Sequence, residues 1–222
     1  MDSTGTASVA ASSSRMSRFG PALRTTPSGY IVYPVQGTLM APAPLSATEV
    51  AALSGLDESR VRKEVEHGIF ASPTFDARDL IYFFALSRLG IDLGVEDRRR
   101  FHTLVVRALA SRRPLRHLEF GPILEVHLDR VAEDAKAKLA RFEAWKKTRV
   151  VADERVLGGE PTFPKSRLGV RHLGGMLLRG ARPEEVREDY PYLTEEDVEF
   201  APVFTRAYPR MGRPRERQAA AR

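Results

Sequence analysis

The segment GGEPTFPKS, residues 158–166, carries residue types for phosphate chemistry at nearly the spacing of a nucleotide-binding loop. Gly159, Lys165 and Ser166 stand where the first glycine, the phosphate-binding lysine and the metal-binding hydroxyl of such a loop would fall. Pro164 replaces the required second glycine, and proline has no N–H group to donate to a phosphate. The glutamate after Gly159 adds a negative charge where an anion would sit. The sequence therefore predicts that this segment does not bind ATP.

The other polar residues predict neither a catalytic group nor a metal site. The chain has no cysteine, which excludes thiolate catalysis, disulfides and sulfur-based zinc sites. No Ser-His-Asp motif or carboxylate pair stands out. His117 and His127 flank the turn at Gly121-Pro122, so they either face each other across a hairpin or lie independently on the surface. Five histidines occur, none at H-x-x-x-H or H-x-x-E-H spacing: His67, His102, His117, His127 and His172. We therefore expect a protein that is not an enzyme and needs no cofactor.

The charge of the chain favours an anionic partner. The formal net charge is +6 and the pI is about 9.8. Nucleic acid, an acidic protein and a membrane surface all fit this balance, as does a basic soluble protein with no polyanion partner. No segment has the apolar length of a membrane span, and the N-terminus lacks the apolar core of a signal peptide. A cytoplasmic location is the expectation.

Two short helices joined at a glycine are predicted near the start of the ordered chain. Ser46 and Glu49 form an S-x-x-E capping box, and Gly55 ends the helix that follows. A second helix opens near Asp57 and carries basic side chains outward, where they would read base edges or neutralise phosphates. A solvated charged face is the alternative, supported by three glutamates in the same helix. The candidate DNA-binding residues of this helix are Ser59, Arg60, Arg62 and Lys63.

The next segments add a wing and a core helix. Residues 72–90 turn through Pro73 and enter a helix too apolar to be a surface element. The order of helix, turn, basic helix, short wing and apolar helix over residues 45–110 resembles the DNA-binding domain of the MerR class. In that class the wing contacts the DNA backbone, but here Arg78 is the only basic residue near the tip of the wing, so the wing contacts are expected to be weak.

Two further elements lead to the last third of the chain. The helix over residues 95–113 opens with a basic run, Arg98 to Arg100, which is read as a solvated helix start or as a phosphate contact. Residues 117–128 read as two short strands. The charged helix over 129–149 has Val131, Ala135, Leu139 and Phe142 on one stripe and is expected to be a spacer or a dimer helix.

Residues 150–208 predict a compact helical module. Leu173, Leu177 and Leu178 are expected to face inward on a helix over 170–181, and Gly174-Gly175 permits close packing. Pro183 suits the first turn of the next helix, and Thr194 with Asp197 forms another capping box.

A set of residues spread over this module forms a recognisable pattern: Asp153, Leu157, Gly158, Gly159, Pro161, Arg167, Val170, Gly180, Glu185, Asp189, Tyr190, Pro191, Leu193, Thr194 and Asp197. This pattern resembles domain-of-unknown-function family 433. The resemblance implies a helix-turn-helix-like fold, as found in VapB-type antitoxins beside PIN-like RNase toxins. Together with the MerR-like front, it suggests the longer VapB-type subgroup.

The C-terminal segment is rich in arginine and has little to bury. If the chain is such an antitoxin, an arginine fork would pair with the metal-binding carboxylates of the nuclease and block its site. The alternatives are a minor-groove contact, because PRMGRPR is close to the P-R-G-R-P pattern, and a solvated tail. The candidate toxin-binding residues are Arg210, Arg213, Arg215 and Arg217.

The sequence thus predicts a mainly α-helical protein with minor short β-strands. Its predicted parts are a disordered arm (1–28), a winged helix-turn-helix domain (29–128), a linker or dimer helix (129–149), a small helix-turn-helix-like domain (150–208) and a basic flexible tail (209–222). The leading function is an antitoxin that neutralises a co-encoded PIN-like RNase and represses its own operon as a homodimer or a hetero-oligomer. The alternatives are a MerR-like transcriptional regulator without a toxin and a protein-binding adaptor that does not bind DNA.

Overall fold

A computed structural model of the protein describes residues 43–111, 117–121 and 124–210. The predicted arm over 1–28, the extended segment over 30–40 and most of the basic tail lie outside these residues. The described residues form eight α-helices and two antiparallel strand pairs. In chain order they are β1 (Leu45–Ser46), α1 (Ala47–Ser54), α2 (Glu58–Glu66), β2 (Thr74–Phe75), α3 (Ala77–Arg88), α4 (Val95–Ala110), β3 (His117–Phe120), β4 (Leu124–His127), α5 (Leu128–Arg149), α6 (Val170–Leu178), α7 (Pro183–Asp189) and α8 (Glu195–Ala207).

The two short helices at the front form as predicted. The Ser46 hydroxyl accepts from the Glu49 amide at 3.3 Å, and the Glu49 carboxylate accepts from the Ser46 amide at 2.8 Å, so the capping box is complete. Gly55 ends α1 with φ +80°, a left-handed backbone conformation that residues other than glycine rarely adopt. Helix α2 then begins after Asp57, whose side chain makes no capping hydrogen bond.

The predicted wing takes a different form. Residues after α2 bend back to the start of α1, where β2 pairs with β1 in the register Leu45–Phe75 and Ser46–Thr74. The segment therefore contributes one strand to a minimal two-stranded sheet and not a projecting hairpin. Phe75 is buried and meets Phe70 and Phe83 at ring-centroid distances of 5.3 and 5.2 Å. These aromatic contacts fix the segment to the core.

Helix α3 is the centre of the front half, as its apolar sequence predicts. All residues from Leu80 to Leu86 are buried. A capping box between Asp76 and Asp79 starts the helix. The helix packs against both α1 and α5.

Helix α5 is a core element of the chain. Three residues of its apolar stripe, Val131, Ala135 and Phe142, are buried, and the fourth, Leu139, is half-buried. The helix contacts both α3 and α8. The apolar stripe of α5 therefore packs against helices of the same chain. In a dimer helix it would instead pack against a second copy of the chain. The hairpin that precedes it, β3–β4, forms as predicted, with His117 opposite His127.

The last three helices also begin where the sequence predicts. Pro183 occupies the first turn of α7, and the Thr194–Asp197 capping box starts α8. Helix α6 crosses α8 so closely at Gly174 that an added Cβ would overlap the Ala201 carbonyl. The prediction is wrong for Leu178, which is 51% exposed, because it is the last residue of α6 and lies beyond the buried positions Val170, Leu173 and Gly174.

The front and back helices share one hydrophobic core, which runs from Leu45 to Phe204. Helix α8 packs against α1, and the Tyr208 hydroxyl donates to Glu49 Oε1 at 2.5 Å. The Arg206 guanidinium donates to the Leu56 carbonyl at 2.8 Å. The predicted boundaries at residues 128 and 150 therefore fall between elements that pack together. Among the described helices, none combines the length and apolarity that a bilayer span requires.

Candidate functional site

Helix α2, the predicted DNA-contacting element, has two faces of different exposure. Val61 and Glu64 are fully buried. Ser59, Arg62 and Lys63 lie on the exposed side of the helix. We call these three residues the α2 face.

Arg60 does not belong to this face, although the sequence predicts that it points outward. Its side chain is 26% exposed and donates from Nη1 to Asp92 Oδ1 at 2.7 Å. Its Nε is buried and finds no acceptor among the described residues. Asp92 belongs to the loop between α3 and α4, so Arg60 ties that loop to α2.

The charge of the α2 face is partly compensated. Arg62 Nε donates to Glu58 Oε1 at 2.6 Å, one helical turn earlier. Such an (i, i+4) pair contributes at most about 0.5 kcal/mol in isolated helices. A phosphate can therefore replace Glu58 as the partner of Arg62 at little cost. Lys63 adds a second exposed cation beside it.

A buried polar cluster on the other side of α2 sets the position of the helix. Glu64 Oε1 accepts from Arg98 Nη1 at 2.8 Å, and Glu64 Oε2 accepts from the Tyr82 hydroxyl at 3.1 Å. Glu64 is completely buried and Arg98 is 6% exposed. The cluster joins α2 to α3 and α4. Because Glu64 and Arg98 pair with each other, neither charge is buried without a counter-charge.

This cluster corrects the sequence-based interpretation of two residues. Glu64 is not part of a solvated face, and Arg98 is neither solvated nor able to reach a phosphate. The sequence contained a signal for this buried pair. Arg98 continues the apolar stripe of α4, which consists of Phe101, Val105 and Ala108. Glu64 follows the buried Val61 by one turn on α2. Opposite charges on two apolar stripes indicate a buried pair.

The environment of Tyr82 keeps its hydroxyl protonated. Burial raises the pKa of Tyr82 well above its usual range, and the charge and hydrogen bond of Glu64 raise it further, while Arg98 acts in the opposite direction. The Tyr82 hydroxyl is therefore a permanent donor to Glu64.

Arg78 lies in the first turn of α3 and not at the tip of a wing. Its amide donates to Asp76 Oδ1 at 2.6 Å, and its side chain is exposed. Together with Tyr82 and His102 it lines an open depression of about 220 Å³ between α3 and α4. Burial lowers the pKa of His102, so its imidazole is held toward the neutral form.

The segment GGEPTFPKS forms bridges and a turn. The amide of Thr162 donates to the Val151 carbonyl at 2.8 Å, and the amide of Phe163 donates to the Leu168 carbonyl at 3.1 Å. Lys165 is exposed at the turn with φ +56°. These amides donate to carbonyl groups of the chain, so a phosphate cradle at this place would require their hydrogen bonds to break.

Asp197 joins the C-terminal region to α5. Its Oδ1 accepts from Trp145 Nε1 at 2.8 Å and from Arg149 Nε at 2.9 Å, and its Oδ2 accepts from the Thr194 amide at 2.8 Å. The carboxylate is fully buried. Burial by itself raises the pKa of Asp197, but the hydrogen bonds from Arg149, Thr194 and Trp145 together hold it below its usual value. Sequence reasoning identified the cap but not these two partners on α5.

The basic C-terminal segment begins beside a charged groove. Arg210 is 71% exposed, and its Nη2 lies 3.3 Å from Glu160 Oε2. The other oxygen of Glu160 accepts from Arg171 Nη1 at 3.1 Å. His172 and Arg179 line the same groove. Of the predicted toxin-binding residues only Arg210 is described, since Arg213, Arg215 and Arg217 lie outside the described residues.

Comparison with known proteins gives a family match for the C-terminal region. Residues 150–205 match the sequence model of a family described as "Protein of unknown function (DUF433)". No curated protein and no solved structure matches the chain. The family match confirms the resemblance of this region to family 433. The VapB-type and MerR-like resemblances stay predictions.

Proposed function

We propose that this protein is the antitoxin of a type II toxin-antitoxin system, which binds a co-encoded PIN-like RNase and represses its own operon by binding DNA. The observation that carries the proposal is the packing of α8, most of which lies in the region that matches family 433, against α1 of the front helix pair. A partner bound at the C-terminal region and DNA bound at α2 would then act on one rigid core.

The DNA-binding half of the proposal rests on the α2 face. Its side chains project from a short helix whose opposite side is anchored by Val61 and the Glu64–Arg98 pair. A rigid helix with exposed Ser, Arg and Lys suits the major groove, where Arg and Lys contact guanine edges and phosphates.

Replacing Arg62 and Lys63 together by alanine is expected to weaken operator binding. The slope of log K against log salt concentration is negative, and losing two phosphate contacts makes it less steep by about 2 units at most. Arg60 is omitted from the variant because its pair with Asp92 gives it a structural role. Fluorescence anisotropy with the upstream DNA at several salt concentrations measures both quantities.

The control variant carries Arg182→Ala, at the residue before α7, and Arg187→Ala, on α7. Both arginines are exposed and paired with glutamates. The variant removes the same formal charge from a different surface. If both double variants bind DNA as tightly as the wild type, the α2 face does not contact the operator. If both lose affinity equally, binding follows net charge alone.

The toxin-binding half of the proposal rests on family 433 and on the arginines that begin at Arg210. PIN-type nucleases hold their metal ions with carboxylates. A guanidinium binds carboxylates in a two-pronged geometry that lysine cannot reproduce. Insertion of this segment into the nuclease site would displace the metal ion and stop RNA cleavage.

Removing residues 211–222 is expected to abolish neutralisation of the toxin while sparing the fold. The shortened chain keeps Tyr208, which bonds to Glu49 and Lys146, and Arg210, which pairs with Glu160. Its melting temperature should match that of the full chain. Toxin activity on RNA should return to the level seen without antitoxin, and growth rescue on co-expression should be lost.

A matched full-length variant with Arg213, Arg215 and Arg217 changed to lysine keeps the positive charge of the segment but removes the two-pronged geometry of the guanidinium groups. Weakened inhibition by this variant supports the two-pronged pairing, whereas full inhibition supports a contact by charge alone. A truncated chain that still rescues growth contradicts the plug mechanism.

Two other functions each have one supporting observation. A transcriptional regulator without a toxin is favoured by the depression beside Tyr82 and His102, which is open to solvent and accessible to a small effector. An adaptor that does not bind DNA is favoured by the pairing of Arg60 and Arg62 with acidic side chains. A pull-down with the product of the adjacent gene and a gel shift with the upstream DNA separate all three.

A further inference from the structure

The β3–β4 hairpin carries ligand-type side chains on one face only. Strand alternation turns Leu118 and Val126 into the core, where both are buried. The outward face consists of two histidines opposite each other and two glutamates opposite each other: His117, His127, Glu119 and Glu125.

Three of these side chains converge. Ligand atoms of His117, Glu125 and His127 all lie within 4.8 Å of one another. His117 Nδ1 is 2.8 Å from Glu125 Oε1, and the two imidazole centroids are 4.6 Å apart. All three residues are exposed, so an ion can reach them from solvent.

The hairpin holds the three groups without rearrangement of its backbone. Both histidines are at directly paired positions, and Glu125 is the diagonal neighbour of His117. Directly opposed glutamates, such as Glu119 and Glu125, are destabilising across a strand pair. A cation bound at this face would offset their repulsion.

We propose that His117, Glu125 and His127 form a binding site for a borderline divalent transition-metal ion such as Zn²⁺. Two imidazole nitrogens and one carboxylate oxygen are a ligand set that Zn²⁺ takes in proteins, with a fourth position open to water or to a partner's side chain. Imidazole suits Zn²⁺, Cu²⁺ and Ni²⁺, whereas Mg²⁺ and Ca²⁺ prefer oxygen ligands alone. The site is independent of the proposed antitoxin function, so either idea stands or fails alone.

The test is isothermal titration of the full chain, freed of any histidine tag, with ZnCl₂ in a buffer that does not chelate metals. One ion is expected to bind each chain, and MgCl₂ is expected to give no heat. His117→Ala and His127→Ala should each lower the affinity at least about tenfold, since even changes to outer-shell partners of metal ligands have effects of that size. His172→Ala, at another exposed histidine, should leave binding unchanged.

Two further measurements keep the test decisive. Glu125→Gln preserves the shape of the side chain while removing its charge, and it should weaken Zn²⁺ binding even if a histidine variant folds poorly. Zn²⁺ should raise the melting temperature of the wild type and not that of His127→Ala. Absence of Zn²⁺ binding by the wild type, or equal binding by a folded double histidine variant, would overturn the proposal and leave His117 and Glu125 as a surface contact between two side chains.

Discussion

Replacing Asp197 by alanine is expected to lower the free energy of unfolding by about 3–5 kcal/mol, the effect of removing one partner from a buried ion pair. The substitution leaves the Trp145 indole N–H and the Arg149 guanidinium without their acceptor. It also removes the side chain that completes the cap with Thr194. Since Asp197 ties α8 to α5, the loss should appear in the cooperative unfolding of the whole core.

Urea denaturation followed by circular dichroism and by the fluorescence of Trp145, the single tryptophan, measures this effect. Asp134→Ala is the matched control, because Asp134 also pairs with an arginine, Arg88, at 2.8 Å, but on an exposed surface. Exposed pairs contribute about 1 kcal/mol or less. Equal losses in the two variants would contradict the role assigned to burial.

The same carboxylate gives the stability a defined pH dependence. The pKa of Asp197 is lowered in the folded state, so its contribution is complete above the unfolded pKa of about 3.9. The contribution is lost as the pH falls through the lower folded pKa. The wild type should therefore lose stability below about pH 4 more steeply than Asp197→Asn, which has no proton to bind.

Replacing Glu64 by alanine is expected to lower the free energy of unfolding by a similar amount, about 3–5 kcal/mol. Arg98 would then be a buried cation without a counter-charge, and the Tyr82 hydroxyl would lose its acceptor. Because Glu64 anchors α2, the variant should also lose operator binding if DNA binds at the α2 face. Thermal and urea unfolding measure the first effect, and anisotropy measures the second.

Two companion variants test the cause. Glu66→Ala removes an exposed glutamate two positions along the same helix and should change stability by about 0.5 kcal/mol at most. The double variant Glu64→Met, Arg98→Met replaces the pair by apolar side chains and should recover most of the loss. A double variant as unstable as Glu64→Ala would show that the unpaired charge is not the cause.

Local signals in the sequence predicted the helix boundaries well. The boxes Ser46–Glu49 and Thr194–Asp197, the glycine at 55 and the proline at 183 all mark helix ends in the structure. Each of these residues acts on the backbone within three or four positions of itself. Such effects do not depend on the rest of the fold, and the sequence is sufficient to identify them.

The packing contacts between segments that are far apart in the sequence could not be predicted in the same way. The stripe of α5 is equally compatible with a spacer, a dimer helix and a core helix, and only its packing between α3 and α8 decides. Periodicity also assigns charged residues to the surface, which failed for Glu64 and Arg98 because each is buried by the presence of the other. The partners of Asp197 on α5 are 48 and 52 positions away and carry no local signal.

The contact between α1 and α8 has a consequence for synthesis of the chain. Glu49 and Tyr208 are separated by 159 positions. At a translation rate of about 5–20 residues per second, the ribosome needs on the order of 10–30 s to supply the partner of α1 after α1 itself has emerged. During that interval the nascent chain exposes the side of α1 that α8 later covers. Any message or chain cut short before α8 would therefore yield a front half that cannot complete its core.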